Sequence, residues 1–182
     1  MFRSVAAHMG AHYRNSHDSA LHLSGRIGAI GRVALAPVYF DGIDLESLVL
    51  DELLLQAATP AQFSINGAEV RLTPKTAELM SLVIHELATN AVKYGALSQS
   101  QAKIRVAWEI AYRFGSQSLY FEWLEAGVRM KTDAPRTPGF GFELIERLIA
   151  RELKGEGKMA FLPDGIRCTI EIPLAGTQPP NG

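Results

Sequence analysis

The sequence predicts an α+β fold, a two-layer sandwich in which an antiparallel or mixed sheet carries helices on one face. Strand-like alternation of apolar and polar residues is concentrated in the second half of the chain, while most of the helical spacing lies before it. The chain has 182 residues, of which 47% are hydrophobic and 20% charged, and this suits one folded domain with a short appendage.

Two helices are expected at the start, over about residues 2–13 and 18–35, as a helical hairpin that precedes the sandwich. Leu21, Ile27 and Ile30 lie on one apolar stripe of the second helix. Pro37 is expected to end that helix, because proline fixes its own backbone and lacks an N–H donor.

Three further helices are expected. Asp44 is the predicted N-cap of a helix over 45–57. Thr73-Pro74 opens a longer helix, since threonine caps well and proline is preorganised for the first helical position. This helix runs to Tyr94, and Gly95 is expected to stop it in the left-handed conformation. The last helix is expected over 142–153.

The strands follow from alternation between turn signals. Residues 63–67 and 69–72 are interpreted as the two arms of a β-hairpin. Strands are also expected at 103–110, 119–125, 158–161 and 166–172, and the turn Pro163-Asp164-Gly165 joins the last two.

Composition and charge argue against several classes of protein. Lysine and arginine number 18 against 19 acidic residues, so the net charge of −1 gives no strong field toward nucleic acid or anionic lipid. No apolar run approaches the roughly 18 residues that would span a bilayer, and no direct membrane insertion is expected. Cys168 is the one cysteine, and the first residues lack a basic-then-apolar pattern. These features predict a cytoplasmic protein without an internal disulfide framework.

His8 and His12 share one face of the first predicted helix and are a candidate metal pair. No third ligand at a recognisable spacing accompanies them, so two solvent-facing histidines are the better interpretation.

The most informative stretch runs from His85 to Gly95. On a helix, Glu86, Asn90 and Lys93 fall at i, i+4 and i+7 and therefore line one face. This face is either a solvated polar ladder or a magnesium and phosphate site, because an amide oxygen, a carboxylate and an ammonium suit that chemistry. A zinc protease helix is excluded, since its second histidine would stand where the chain has Thr89.

Two weaker motifs follow this helix. Trp123-Leu124-Glu125-Ala126-Gly127 ends a strand with an acid and a glycine, where a carboxylate can accept the exocyclic amine of a purine. Gly139-Phe140-Gly141 precedes a predicted helix, and the N–H groups of a helix N-terminus attract phosphate.

The order of these motifs resembles the HWE family of bacterial sensor histidine kinases, which shares the Bergerat ATP-binding fold with gyrase. The family is named for a histidine in its asparagine box and a Trp-x-Glu in its first glycine box, which are matched here by His85 and Trp123-Leu124-Glu125. Residues 85–98 are similar to the asparagine box, and Gly139-Phe140-Gly141 is similar to the second glycine box. The resemblance covers roughly residues 25–174.

The resemblance implies magnesium and ATP at one site. Glu86, Lys93 and His85 would be its catalytic residues, with Asn90 coordinating Mg²⁺ and Glu86 reaching the ion through a water. Glu125 would read adenine, and the glycines of the two glycine boxes would shape a lid. The ATP-binding residues implied in this way are Asn90, Lys93, Tyr94, Glu125, Gly127, Gly139, Phe140 and Gly141.

In kinases of this family the γ-phosphoryl group of ATP passes to a histidine on a separate dimerisation hairpin, and then to an aspartate of a response regulator. By resemblance, residues 1–38 are a partial dimerisation hairpin, 39–174 the ATP-binding catalytic domain and 175–182 a flexible tail. A receiver domain is the implied partner, and catalysis would consist mainly of positioning and charge neutralisation.

The chain departs from the family pattern in three places. The phosphoacceptor block, a histidine followed by Arg-Val-Lys-Asn, is absent, so His8 or His12 would have to substitute for it. Phe142 stands where the family has a small polar residue, and one glycine rather than two follows Glu125.

Two alternatives follow from these departures. The chain could be a catalytically degenerate relative that serves as a histidine phosphotransfer or response-regulator docking protein. A kinase of the anti-sigma type, which phosphorylates serine, is the third interpretation. In each case the apolar stripe of the second helix predicts a homodimer through the first 36 residues.

Overall fold

The computed structural model describes residues 25, 27–31, 42–56, 60–113, 116–129 and 140–174. The predicted helix over 2–13 and the tail 175–182 lie outside these residues. The second predicted helix is described at Gly25 and 27–31, which are helical and are called the N-terminal helical segment below. The other elements are β1 (Ile43–Asp44), α1 (Leu45–Gln56), β2 (Phe63–Gly67), β3 (Arg71–Leu72), α2 (Pro74–Tyr94), β4 (Lys103–Arg113), β5 (Ser116–Ala126), α3 (Phe140–Glu152), β6 (Glu156–Leu162) and β7 (Gly165–Leu174).

The main sheet has five strands in the order β2-β4-β5-β7-β6. β2 pairs with β4 in parallel, and the other neighbours are antiparallel. The helices and one face of this sheet contribute to a single hydrophobic core. The α+β two-layer fold expected from the sequence is therefore confirmed.

The inner face of the sheet forms the core through cross-strand rows. Val106, Trp123 and Cys168 are paired across β4, β5 and β7, and all three are buried. Trp108 stacks on Phe121 with ring centroids 6.4 Å apart. Helix α2 packs on this face because apolar residues recur along it at helical spacing. That buried row consists of Ala77, Met80, Ile84, Leu87 and Ala91.

The outer face of the sheet is polar. Glu122 bonds Arg105 at 2.7 Å and Arg167 at 3.3 Å from the two neighbouring strands. The Tyr120 hydroxyl donates to Glu171 at 2.6 Å. Alternation along each strand therefore separates an apolar face from one that meets solvent, as the sequence predicts for an antiparallel sheet.

The predicted starts of α1 and α2 are confirmed. Asp44 Oδ2 accepts from the Ser47 N–H at 2.9 Å at the start of α1, and Thr73 Oγ1 accepts from the Thr76 N–H at 3.3 Å at the start of α2. Helix α3 begins at Phe140, two residues before the predicted start. No helix in the described ranges combines the length and apolar character needed to cross a membrane.

The predicted hairpin of residues 63–67 and 69–72 is wrong. β2 instead pairs in parallel with β4, and β3 pairs with β1. The connection between them is held by other partners, because Trp108 Nε1 donates to the Ala68 carbonyl at 2.7 Å and the Leu45 N–H donates to the Val70 carbonyl at 3.1 Å. Alternation predicts which face of a strand is buried, but it does not identify the strand's partner.

Gly95 ends α2 as predicted, but not in the left-handed conformation. Its φ is −116°, and its N–H donates to the Ala91 carbonyl at 3.1 Å. Glycine is needed for space, since a Cβ there would overlap the Glu125 carboxylate. The end of α2 is thus shaped by contact with the sheet.

Candidate functional site

The structure places Glu86, Asn90 and Lys93 on one face of the second half of α2, as their spacing predicts. The Glu86 side chain is buried, while Asn90 and Lys93 are half-buried. The core row of the same helix fixes this face, because Leu87 and Ala91 are fully buried between these polar positions. A carboxylate, an amide and an ammonium are therefore held on a rigid helix.

Thr89 lies beside Asn90 on the same turn. Its Oγ1 is buried and has no hydrogen-bond partner among the described residues. An unsatisfied buried hydroxyl is costly, and this one lies one residue from Asn90 on the helix. The half-buried amide of Asn90 carries an oxygen that suits a hard cation.

Glu125 lies at the end of β5 and meets the turn that follows α2. Its Oε2 accepts from the Ala96 N–H at 2.6 Å, and its Oε1 accepts from Trp123 Nε1 at 3.2 Å. The side chain is 1% exposed. Burial raises the pKa of this carboxyl, and the bonds from Ala96 and Trp123 oppose that rise in part. The strand-end acid and the end of the polar helix, separate in sequence, are thus joined through the turn that follows α2.

Gly127 follows Glu125 and has a φ of +75°, a conformation that favours glycine. Its N–H donates to Asp164 Oδ2 at 3.3 Å, and the Val128 N–H donates to the Asp164 carbonyl at 2.8 Å. A Cβ at Gly165 would overlap the Glu125 carbonyl. The β6–β7 turn therefore closes against the end of β5, a role for Asp164 and Gly165 that was not predicted from the sequence.

His85 lies in a different environment from Glu86. Its Nδ1 is 2.8 Å from Glu52 Oε1 of α1, and both side chains are buried. Its other ring edge faces Gly25 of the N-terminal helical segment. Glu52 was not predicted from the sequence, although the spacing of Leu45, Val49 and Glu52 places a carboxylate on the buried row of α1.

Of the other predicted site residues, some lie among the described residues and some lie outside them. Tyr94 is highly exposed at the end of α2. Phe140 and Gly141 form the first turn of α3, whereas Gly139 lies outside the described residues. His8 and His12 also lie outside them.

Neither a metal centre built from several ionisable side chains nor a reactive cysteine is found in the described ranges. These ranges contain no cluster of three or more histidine, cysteine, aspartate or glutamate side chains that could hold a metal ion. Burial, with a smaller contribution from Glu146, raises the pKa of Cys168 to about 12. That thiol stays protonated and is a poor nucleophile.

Replacing Glu125 with glutamine is expected to remove a pH-dependent part of the stability. Because burial raises the carboxyl pKa in the folded state above its ordinary value of 4.5, the folded chain binds this proton more tightly than the unfolded chain. The unmodified protein therefore loses stability as the pH rises through the folded-state pKa. The loss is about 1.4 kcal/mol for each tenfold difference in proton affinity between the folded and the unfolded chain.

The glutamine variant lacks this loss, so the stability advantage of the unmodified protein over it should shrink as the pH rises. Urea unfolding of both proteins between about pH 4 and about pH 8 measures the difference. A difference that stays constant or grows with pH would contradict this assignment.

Comparisons with known proteins identify relatives. No protein-family model matches the chain. It is 31% identical over 172 residues to a blue-light-activated histidine kinase of Rhizobium johnstonii, a match that covers 89% of this chain and 47% of the relative. A blue-light-activated histidine kinase of Brucella anthropi is 32% identical over 109 residues, or 60% of this chain and 22% of the relative. The chain spans less than half the length of these relatives.

Solved structures agree in fold. The histidine kinase domain of the Erythrobacter litoralis blue-light activated histidine kinase has a TM-score of 0.57 at 18% identity, covering 85% of this chain and 75% of that one. The catalytic domain of the histidine kinase ThkA has a TM-score of 0.51 at 16% identity, covering 72% and 94%. Full-length ShkA, solved with AMPPNP, has a TM-score of 0.53 at 20% identity, covering 92% and 38%. By sequence the chain is thus a relative of bacterial histidine kinases, and it has the fold of their catalytic domains.

Proposed function

We propose that this chain is the ATP-binding catalytic part of a two-component histidine kinase of the HWE type. The observation that carries the proposal is the junction of α2 with the end of β5, where Glu125 accepts from the Ala96 N–H at 2.6 Å. This junction places the strand-end acid beside the helix that bears Glu86, Asn90 and Lys93. Relationship to histidine kinases implies ATP as the phosphoryl donor, and the proposed reaction belongs in the cytoplasm.

The residues of α2 suit magnesium and a triphosphate. Asn90 would hold Mg²⁺ through its amide oxygen, and the buried carboxylate of Glu86 would orient a water toward it. Lys93, in the last turn of α2, would meet phosphate charge. The ion, when bound, would neutralise charge on the phosphates, while these side chains bind and orient. The complex of full-length ShkA with AMPPNP is consistent with a nucleotide on this fold.

Base recognition would depend on Glu125. Its two oxygens each accept one bond inside the protein, and a carboxylate has lone pairs for further donors. The backbone N–H groups of Phe140 and Gly141, in the first turn of α3, would attract phosphate.

The phosphoryl group would pass to a histidine and then to the receiver domain of a response regulator. His8 and His12 are the candidate acceptors in this chain, and a histidine of a partner is the alternative. The protein's contribution to transfer would be to bring the γ-phosphoryl group and the acceptor together in line.

Asn90→Ala is expected to abolish magnesium-dependent nucleotide binding, with a loss of about a hundredfold or more in affinity, because it removes the amide ligand. Calorimetry with an ATP analogue and Mg²⁺ measures the change. The matched control is Asn66→Ala, since Asn66 is exposed on β2 and lines the outer face of the sheet. Unchanged binding in Asn90→Ala, or equal losses in both variants, would remove Asn90 from the site.

We also propose a homodimer through the N-terminal helices. Ile27 is 62% exposed on the N-terminal helical segment, whose other side is covered at the fully buried Ala29. An apolar side chain as exposed as Ile27 is suited to contact with a second copy.

Light scattering at micromolar concentration should therefore give about twice the chain mass of 19.9 kDa. Ile27→Lys should shift the protein toward a monomer, because it places a charge on the apolar stripe. Leu55→Lys is the matched control, as Leu55 is 65% exposed on α1, outside the proposed interface. A monomeric unmodified protein would refute the dimer.

A further inference from the structure

The N-terminal helical segment packs on α2 through two contacts. Ser81 Oγ donates to the Ala29 carbonyl at 3.1 Å. Gly25 lies against His85 so closely that a Cβ at Gly25 would be 2.6 Å from Nε2 and 2.9 Å from Cε1. The contacts are four residues apart on both helices and occur in reversed order, so the two helices run antiparallel.

His85 is held from the other side by α1. Its Nδ1 is 2.8 Å from Glu52 Oε1, and Gln56 Nε2 donates to the same oxygen at 3.2 Å. The Nδ1 edge of the ring thus meets Glu52, and the Nε2 edge faces Gly25. The imidazole therefore lies between α1 and the N-terminal helical segment and touches both.

We propose that His85 is a positioning residue that couples the N-terminal helical segment to the polar face of α2. The inference rests on the proposed function, which assigns Glu86 and Asn90 to the nucleotide site. The ring has little room to move between Glu52 and Gly25, because packed interiors deform poorly. A displacement of the segment toward α2 must therefore move the ring or α2, and the polar face moves with the helix.

The coupling is reciprocal: moving the segment affects the nucleotide site, and a bound ligand affects the position of the segment. If the segment leaves α2, the buried Ser81 hydroxyl and the Ala29 carbonyl lose their partner, which destabilises the displaced arrangement. A ligand that binds better to α2 in its packed position must stabilise the packed segment by the same factor. The segment that precedes the sandwich thereby becomes a means of tuning the nucleotide site.

Gly25→Ala and Gly31→Ala form a matched pair for the test. Both replace a glycine of the N-terminal helical segment, so the gain in helix propensity is similar. The added Cβ collides with His85 in the first variant, whereas in the second no atom of the described residues lies within 4 Å of it. A difference between the two variants therefore reports the contact with His85.

The first readout is hydrogen exchange of the backbone amides of residues 86–93 without nucleotide. Gly25→Ala should raise their exchange rates by about tenfold, and Gly31→Ala should leave them near those of the unmodified protein. Equal rates in the two variants would overturn the coupling.

The second readout is affinity for an ATP analogue with Mg²⁺, at a temperature where every variant is folded. Gly25→Ala and Glu52→Ala should each weaken binding by about tenfold, and Glu52→Gln, which keeps an acceptor for His85, should restore most of it. A purely structural role would lower the melting temperature and leave the affinity of the folded protein unchanged, which would also overturn the inference.

The two readouts separate this inference from the proposed function. If the unmodified chain binds no nucleotide, the proposed site fails, but the exchange rates of the glycine variants still decide whether His85 couples the segment to α2.

Discussion

The hydrogen bond from the Ala96 N–H to Glu125 is the contact on which the candidate site depends, because it joins the two layers of the fold where the polar residues collect. A buried carboxylate is unfavourable unless it is bonded. Here Ala96 and Trp123 supply the donors, and Gly95 leaves the space that a side chain would fill. The end of α2 and the end of β5 therefore have one defined arrangement.

Helix α2 packs on the sheet with one face and carries the polar site residues on another. Its core row, with Ile84 and Leu87, is fixed by the sheet, and the rigid helix carries Asn90 with it. A third contact, from Ser81 and His85 to the N-terminal helical segment, uses polar atoms rather than apolar area. Polar contacts of this kind are costly to break and specific in geometry, which suits a contact that sets position.

The sequence was sufficient to predict features set by local chemistry. Threonine before proline predicted the start of α2, and spacing placed Glu86, Asn90 and Lys93 on one face. Features that depend on partners distant in sequence could not be predicted. The hairpin assigned to residues 63–72 was wrong because β4, about forty residues on, competes for β2. Gly95 ends α2 as predicted, but for a different reason. Glycine is needed there because a side chain would overlap Glu125 on a strand distant in sequence.

A crystal structure of the chain with an ATP analogue and Mg²⁺ tests the proposed nucleotide site most directly. We expect the purine beside Glu125, the phosphates along the face of α2 that bears Lys93, and the ion bound to the Asn90 amide oxygen. Nucleotide bound elsewhere, for example on the outer face of the sheet near Lys158, with the α2 face unoccupied, would contradict this assignment.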